Sequence, residues 1–259
     1  NVARYRDLAC VKLILPWSTP AMRFCTSEMK VAVVCAELRR RYPGQTILSA
    51  TGIRREESTK RAKAPIWAPQ AKLTAKRAGT RGYDWHPVLD WSRAEVLRAL
   101  AERRHALHEA YTRFGSSRVS CAFCILAARN DLTAAARDER NAAAYRLLVD
   151  LEVRSTFGFQ SNGWLGDVAP HLLDAGTRAR LAEAKERAAQ REAAEARLLP
   201  HLLYVAGWPT VMPTRPEAVL IGEVRRAVAD AVGIAVNYTE PDAILGRYAD
   251  LMAQRAEAA

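Results

Sequence analysis

Residues 52–61, called the Gly52 loop below, carry side chains suited to binding an anion. The stretch combines four cations with two acids and a serine: Arg54, Arg55, Lys60, Arg61, Glu56, Glu57 and Ser58. Guanidinium groups bind phosphate or sulfate through paired hydrogen bonds, and a neighbouring carboxylate can orient them. An anion site is one interpretation of this pattern. The solvated first turn of a surface helix is the other.

Two cysteines separated by two residues form the second chemical candidate. Cys121-Ala-Phe-Cys124 has the spacing that lets two thiolates meet one metal ion or cluster. A thioredoxin-like dithiol is disfavoured because no βαβ pattern follows, and two packed small residues are a further alternative. One pair cannot complete a four-ligand site. Cys25 or Cys35 must therefore join it, or one corner of the site stays open.

Cys25 lies at or just before a predicted helix N-terminus, where the helix dipole favours a thiolate. A buried structural cysteine is the alternative. Cys35 follows nearly three helical turns later, so a continuous helix would carry it about 15 Å from Cys25. We therefore expect Cys35 to be a core residue, and rank it only as a weaker fourth candidate for a metal.

The elements that position these groups can be predicted from local pattern. Residues 45–51, bounded by glycines, are typical of a short buried strand that leads into the Gly52 loop. Ligands collect at the carboxyl ends of strands in open α/β sheets, and a glycine there lets the backbone approach them. Residues 83–90 are expected to form another strand with a ligand-side end at 87–90. Ser92 and Glu95 predict a capping box at the start of the next helix.

The rest of the chain is predicted to be mainly helical. Residues 11–15 suggest a short strand, and the basic segment 63–82 is interpreted as a surface excursion. Beyond residue 130 the composition shifts to Ala, Arg, Glu and Leu. We expect helices at 132–151, 178–199, 217–232 and 243–256, the second with few core residues and much exposed surface.

Charge and composition narrow the class of protein. A net charge of +11 in a chain that is 49% hydrophobic favours a soluble protein with a polyanionic partner, nucleic acid first. No apolar run approaches a membrane span, and five cysteines, an odd number, fit a reducing compartment. These features predict a cytoplasmic protein.

Four motifs occur in an order that resembles a known superfamily. They are Arg23-Phe-Cys25-Thr leading to Lys30, the Gly52 loop, Pro87-Val-Leu-Asp90-Trp91, and Gly115-Ser-Ser-Arg-Val-Ser-Cys121-Ala-Phe-Cys124. Together they resemble the adenine nucleotide α-hydrolase superfamily, within it the 3′-phosphoadenylylsulfate (PAPS) reductase family and its DNA phosphorothioation relatives. The resemblance covers roughly residues 5–130. It implies a partial Rossmann-like α/β core over residues 1–130, followed by a mostly α-helical region over 131–259.

The resemblance also implies roles for particular residues. Arg54, Glu57, Ser58 and Arg61 match positions near the nucleotide and the sulfo or acyl end of the substrate, and become the catalytic candidates. Cys25, Cys121 and Cys124 match ligands of the 4Fe-4S cluster in cluster-bearing members. Three such ligands would leave one iron open to sulfide or a substrate group.

Two departures from the family pattern matter. The glycine-rich phosphate loop is missing, since no two glycines are adjacent. We expect this loop, and with it the tight binding of ATP or PAPS, to come from another segment or a partner chain. The sequence ends Gln254-Arg-Ala-Glu-Ala-Ala without the terminal cysteine that reductases of the family use, so it resembles the thiolating branch more.

These observations predict an iron-sulfur protein that transfers sulfur to nucleic acid, DNA or tRNA, through an adenylated or sulfated intermediate. A PAPS or adenylylsulfate reductase is the first alternative. The second is a non-catalytic nucleic-acid-binding subunit that keeps the fold, which suits both the missing phosphate loop and the basic stretch between Arg54 and Arg81.

Overall fold

The structure, a computed structural model, describes residues 2–161 and 163–257. Asn1, Asn162, Ala258 and Ala259, which belong to the predicted regions 1–130 and 131–259, lie outside this part. Two compact units are formed. The first unit contains Asn1–Trp17 together with Phe114–Ala259, and the second unit is Ser18–Arg113. The Cys121-x-x-Cys124 motif belongs to the first unit, and the Gly52 loop belongs to the second.

The described residues form a mixed α/β fold that is mostly helical. The strands are β1 (Thr46–Ala50), β2 (Trp67–Pro69) and β3 (Arg81–Trp85). The α-helices are α1 (Val2–Arg6), α2 (Phe24–Thr26), α3 (Val33–Arg41), α4 (Thr59–Ala62), α5 (Arg93–Glu102), α6 (Glu109–Thr112), α7 (Arg129–Ala136), α8 (Ala142–Ser155), α9 (Ala175–Glu195), α10 (Arg215–Val232) and α11 (Pro241–Glu257). A π-helical segment, Ser27–Ala32, joins α2 to α3. No helix in the described part is long and apolar enough to cross a membrane.

A three-stranded sheet organises the second unit. Its order is β1-β3-β2, with β1 parallel and β2 antiparallel to β3. The predicted strand at 45–51 is confirmed as β1, but its expected burial is wrong: exposed and half-buried residues alternate along it. The reason is that β1 lies at the sheet edge and only one face of the sheet is covered. The predicted strand 83–90 is shorter than expected, because β3 ends at Trp85 and a turn follows.

The segment 63–82 is a folded part of the sheet, which corrects its interpretation as a surface excursion. It contains β2, two 3₁₀ turns and the start of β3. Leu73 is buried against β3, where a Cβ at Gly82 would lie 2.1 Å from the Leu73 Cβ. Thr80 is buried as well, and its hydroxyl accepts a 3.0 Å hydrogen bond from the Gly44 amide. Few large apolar residues are needed here because a glycine lets one leucine approach the strand closely.

Helix α9 packs against α8 and α10 in the first unit. The expectation that this helix has few core residues and much exposed surface is wrong. A stripe with three- and four-residue spacing is buried along it: Leu181, Ala184, Ala188, Arg191 and Glu195. Small alanines allow close helix packing, and the buried Arg191 and Glu195 form an ion pair at 3.1 Å.

Two other predictions for the first unit need correction. The helix expected at 132–151 is divided into α7 and α8 by a 3₁₀ turn, Glu139–Asn141, whose first residues are capped by Asp138. Residues 11–15 form no strand. Val11 and Leu13 are instead buried in the helical core, and the Leu13 amide donates a 2.8 Å hydrogen bond to Glu195. The helices predicted at 217–232 and 243–256 are confirmed as α10 and α11.

Candidate functional site

The Gly52 loop begins at the carboxyl end of β1. Arg55–Glu57 form a 3₁₀ turn, and Ser58 then starts α4, its hydroxyl accepting a 3.3 Å hydrogen bond from the Arg61 amide. Serine is a favoured helix N-cap because its hydroxyl satisfies an amide that has no partner within the helix. The sequence therefore folds this stretch into two short turns that present its charged side chains together.

Glu57 links the catalytic candidates of the loop. Its carboxylate accepts a 3.0 Å hydrogen bond from the Arg54 amide and another from the Arg61 guanidinium. The Arg54 guanidinium lies 3.4 Å from Glu57 and 3.1 Å from Glu56. The structure thus brings Arg54, Glu57, Ser58 and Arg61 into one network. Because the Arg54 and Glu57 side chains are only 19% and 24% exposed, the network restrains the direction of both guanidinium groups.

Arg55 has a structural role in the site that the sequence analysis did not predict. Its guanidinium donates to the carbonyls of Ala62 and Ala64 at 2.7 and 2.9 Å, and to the Asp90 carboxylate at 2.5 Å. The Arg55 amide also bonds the Leu89 carbonyl at 2.9 Å. These contacts tie the Gly52 loop to the turn that follows β3. Arg55 is one of four cations in this short stretch, and nothing in the local sequence distinguishes its role from theirs.

A cavity of about 280 Å³ lies beside the loop within the second unit. Its walls are mainly apolar, with two guanidinium groups: Gly52, Arg54, Val88, Trp91, Val96, Ala99, Leu100 and Arg103. The volume lies near the lower end of the usual range for ligand pockets, about 300–1,000 Å³. The cavity therefore suits a small ring or acyl-sized group that carries a negative charge. We name it the Arg54 cavity.

Helix α5 supplies half of the wall. The predicted capping box is confirmed: the Ser92 amide donates to Glu95 at 2.7 Å, and the Glu95 amide donates to the Ser92 hydroxyl at 3.2 Å. The cap fixes where α5 begins, and one helical face then carries Val96, Ala99 and Leu100, followed on the same side by the C-cap residue Arg103, with i, i+3, i+4, i+7 spacing. The spacing can be read from the sequence, but the sequence does not show that this face of the helix lines a cavity.

The candidate cysteines fall in different units. Cys25 belongs to the second unit, where a hydrogen bond with the Ser18 side chain is the main cause that lowers the pKa of its thiol; Thr26 and Lys30 act in the same direction. Cys121 and Cys124 belong to the first unit and are exposed and half-buried, respectively. The Arg118 guanidinium lies 4.0 Å from the Cys124 sulfur.

A cluster held by three cysteines requires their sulfurs to converge on one site. Among residues 2–161 and 163–257, no group of three or more His, Cys, Asp and Glu side chains is placed to hold a metal ion. Because Cys25 belongs to one unit and Cys121 and Cys124 belong to the other, a cluster held by all three stays a prediction. Cys35 is buried, and burial raises the pKa of its thiol, so it is predominantly neutral.

Residues 17–127 match the sequence model of the phosphoadenosine phosphosulfate reductase domain. The match covers 111 of the 259 residues and supports a relationship of this segment to the PAPS reductase-like superfamily. The matched segment contains the Gly52 loop, the Arg54 cavity and all three candidate cysteines. No curated protein and no solved structure matches the chain.

The family match bears on the broad chemistry. It supports a relationship to a sulfur-transfer or reductase family. The match ends at residue 127, so the helices from α7 onward lie outside it. The charged network and the cavity beside it are the described features that this chemistry can use.

Proposed function

We propose that the chain acts in sulfur transfer to a nucleic acid, and that the Gly52 loop holds the charged end of an adenylated or sulfated intermediate. The observation that carries the proposal is the network in which Glu57 directs Arg54 and Arg61. It lies at the carboxyl end of a strand, where ligands of open α/β sheets bind. The family match and the net charge of +11 support the substrate and acceptor classes.

The two arginines have separate tasks in this proposal. Arg54 lines the cavity and binds the phosphate or sulfate of the intermediate, because a guanidinium can offer paired donors to such an anion. Arg61 bonds the Glu57 carboxylate and helps to hold it in place beside the Arg54 guanidinium. Ser58 holds the start of α4, and so the position of Arg61, through its cap. Glu57 is therefore a positioning residue and Arg54 an anion-binding one.

The transfer step requires no change of oxidation state. A hydrosulfide attacks the adenylated acceptor, the bond from sulfur to the acceptor forms, and the bond from the acceptor to the bridging oxygen breaks. AMP leaves with that oxygen. Negative charge grows on the leaving phosphate during this step, so a fixed guanidinium beside it stabilises the transition state more than the ground state.

Two further components belong to the proposal. A partner chain or another segment supplies the phosphate loop that would grip ATP or PAPS. A 4Fe-4S cluster on Cys25, Cys121 and Cys124 is supported by the cysteine spacing and the family resemblance alone. Cys121 is exposed and Cys124 is half-buried, and thiolate sulfur is a ligand that suits a soft metal.

The experiment uses an oligonucleotide that is already adenylylated at its 5′ phosphate, so that no phosphate loop is needed. With hydrosulfide present under anaerobic conditions, the protein should accelerate release of AMP and leave a 5′ thiophosphate. Arg54→Met should lose most of this acceleration. AMP release at the rate seen without protein would count against the proposal.

Reduction of PAPS or adenylylsulfate to sulfite is the second candidate function. The family that the domain matches is described by this activity, and the lowered pKa of the Cys25 thiol would favour a nucleophilic thiolate. Sulfite release from either substrate with a dithiol reductant would favour it over sulfur transfer.

A further inference from the structure

One face of the sheet in the second unit is open and aromatic. Paired residues of neighbouring strands lie on the same face, and the register pairs Leu48 with Tyr83 and Trp67 with Trp85. Leu48, Trp67 and Trp85 are 46%, 50% and 39% exposed. The rings of Trp67 and Tyr83 are stacked, with centroids 4.8 Å apart. We call Leu48, Trp67, Tyr83 and Trp85 the aromatic face.

The opposite face is covered, so the exposure is specific to one side. Gly82 and Asp84 alternate with the residues of the aromatic face along β3 and point the other way. Gly82 is buried against Leu73, and Asp84 accepts a 2.6 Å hydrogen bond from Gln70. Two exposed tryptophans with a half-buried tyrosine beside them form an apolar surface of the kind that marks an interaction site.

The charge of the second unit indicates what this surface binds. Ser18–Arg113 contains 19 Lys and Arg against nine Asp and Glu, a net charge of +10 out of the chain's +11. Residues 58–83, which include β2 and most of β3, contain seven Lys and Arg and no acid. Arg81 lies on the aromatic face, in register with Thr46. Within the described part of the chain, no carboxylate forms an ion pair with Lys63, Arg77 or Arg81.

We propose that the aromatic face binds single-stranded nucleic acid, with unpaired bases stacked on Trp67, Tyr83 and Trp85 and the backbone phosphates held by the surrounding cations. Base stacking on exposed aromatic rings needs bases that are free of a partner strand, and a positive surface tracks the phosphates. A second copy of this chain is disfavoured as the occupant because two units of +10 repel each other. This proposal rests on the proposed function, in which nucleic acid is the sulfur acceptor. It adds which surface binds the nucleic acid and that the bound nucleic acid is single-stranded.

The test measures binding of a fluorescein-labelled 12-nucleotide oligo-dT and of a 12-base-pair duplex by fluorescence anisotropy over a series of salt concentrations. The single strand should bind more tightly than the duplex. Trp67→Ala and Trp85→Ala should each weaken single-strand binding by about 5- to 150-fold, the loss of one stacked base. Trp67→Phe and Trp85→Phe keep a stacking ring and should retain most of the affinity.

Two controls separate stacking from charge and from misfolding. Tyr204→Ala removes an aromatic side chain that is also exposed, but lies in the first unit, whose net charge is only +1, and should leave affinity unchanged. Arg81→Ala should lower the slope of log K against log salt by about 0.7, the value for one phosphate contact on a single strand. Circular dichroism of the alanine variants checks that they fold.

Three results would overturn the proposal. Unchanged binding by both tryptophan-to-alanine variants with a steep salt slope would place nucleic acid elsewhere, leaving the proposed acceptor class intact. Binding of neither probe at low salt would remove the acceptor class as well. If Trp85→Ala instead dissociated a self-associated wild-type protein, the aromatic face would be a polypeptide interface.

Discussion

Removal of the Arg54 guanidinium should weaken binding of a sulfated nucleotide by a predictable amount. Arg54 lines the cavity and is directed there by contacts of 3.1 and 3.4 Å with Glu56 and Glu57. A hydrogen bond to a charged group is worth about 1.5–3 kcal/mol. Arg54→Met should therefore raise the dissociation constant by about 10- to 150-fold. Glu57→Gln keeps the shape of the side chain but removes the charge that fixes the arginines, so we expect it to raise the dissociation constant about fivefold.

The assay is equilibrium dialysis with adenylylsulfate at low salt. Arg98→Met is the matched control because it replaces an arginine by methionine outside the cavity. Arg98 lies on α5, its side chain is 70% exposed, and its guanidinium is 3.9 Å from the Glu102 carboxylate. That variant loses charge without touching the cavity. Equal weakening by Arg98→Met and Arg54→Met would show a general charge effect and refute the assignment of Arg54. Unchanged binding by Arg54→Met would refute it as well.

Three further predictions concern stability and metal content. Burial raises the pKa of Glu152 to about 7 from an ordinary 4.5. Its contribution to stability is therefore complete below pH 4.5 and is lost as the pH rises through 7, and the free energy of unfolding should fall by at most about 3 kcal/mol over this range. Urea titrations at several pH values measure this fall, and Glu152→Gln should flatten the profile. Arg225 is buried and donates to the carbonyls of Arg6, Asn237 and Tyr238; Arg225→Met should lower the free energy of unfolding by about 3 kcal/mol or more, and wild-type stability would contradict this. Anaerobic preparations should be brown, and Cys121→Ala should lose iron and visible absorption; a stable, colourless, iron-free wild type would count against the cluster.

Local sequence signals predicted the parts of the site that local chemistry determines. The β-branched run before Gly52 became β1, and Ser92 with Glu95 formed the expected capping box. Helices α10 and α11 were predictable because Thr214 and Glu217 cap the first, and both carry apolar residues at helical spacing. In each case the residues that decide the structure belong to one continuous stretch of sequence.

Features that depend on distant contacts were not predictable. The burial of α9 arises from alanines that face two other helices, and an Ala, Glu and Arg composition looks like a solvated surface. The Arg54 cavity requires α5 to lie beside the Gly52 loop, and the aromatic face requires the register of β1, β3 and β2. Whether Cys25 meets the Cys121-x-x-Cys124 pair is likewise a matter of tertiary arrangement, which spacing alone does not determine.

The fate of sulfur tests the central claim most directly. One anaerobic incubation would contain the protein, ³⁵S-labelled hydrosulfide and a 5′-adenylylated oligonucleotide, and a parallel one ³⁵S-labelled adenylylsulfate with a dithiol reductant. Our account predicts label covalently attached to the oligonucleotide, dependent on Arg54, and no labelled sulfite. Labelled sulfite from adenylylsulfate, with an unlabelled oligonucleotide, would contradict it.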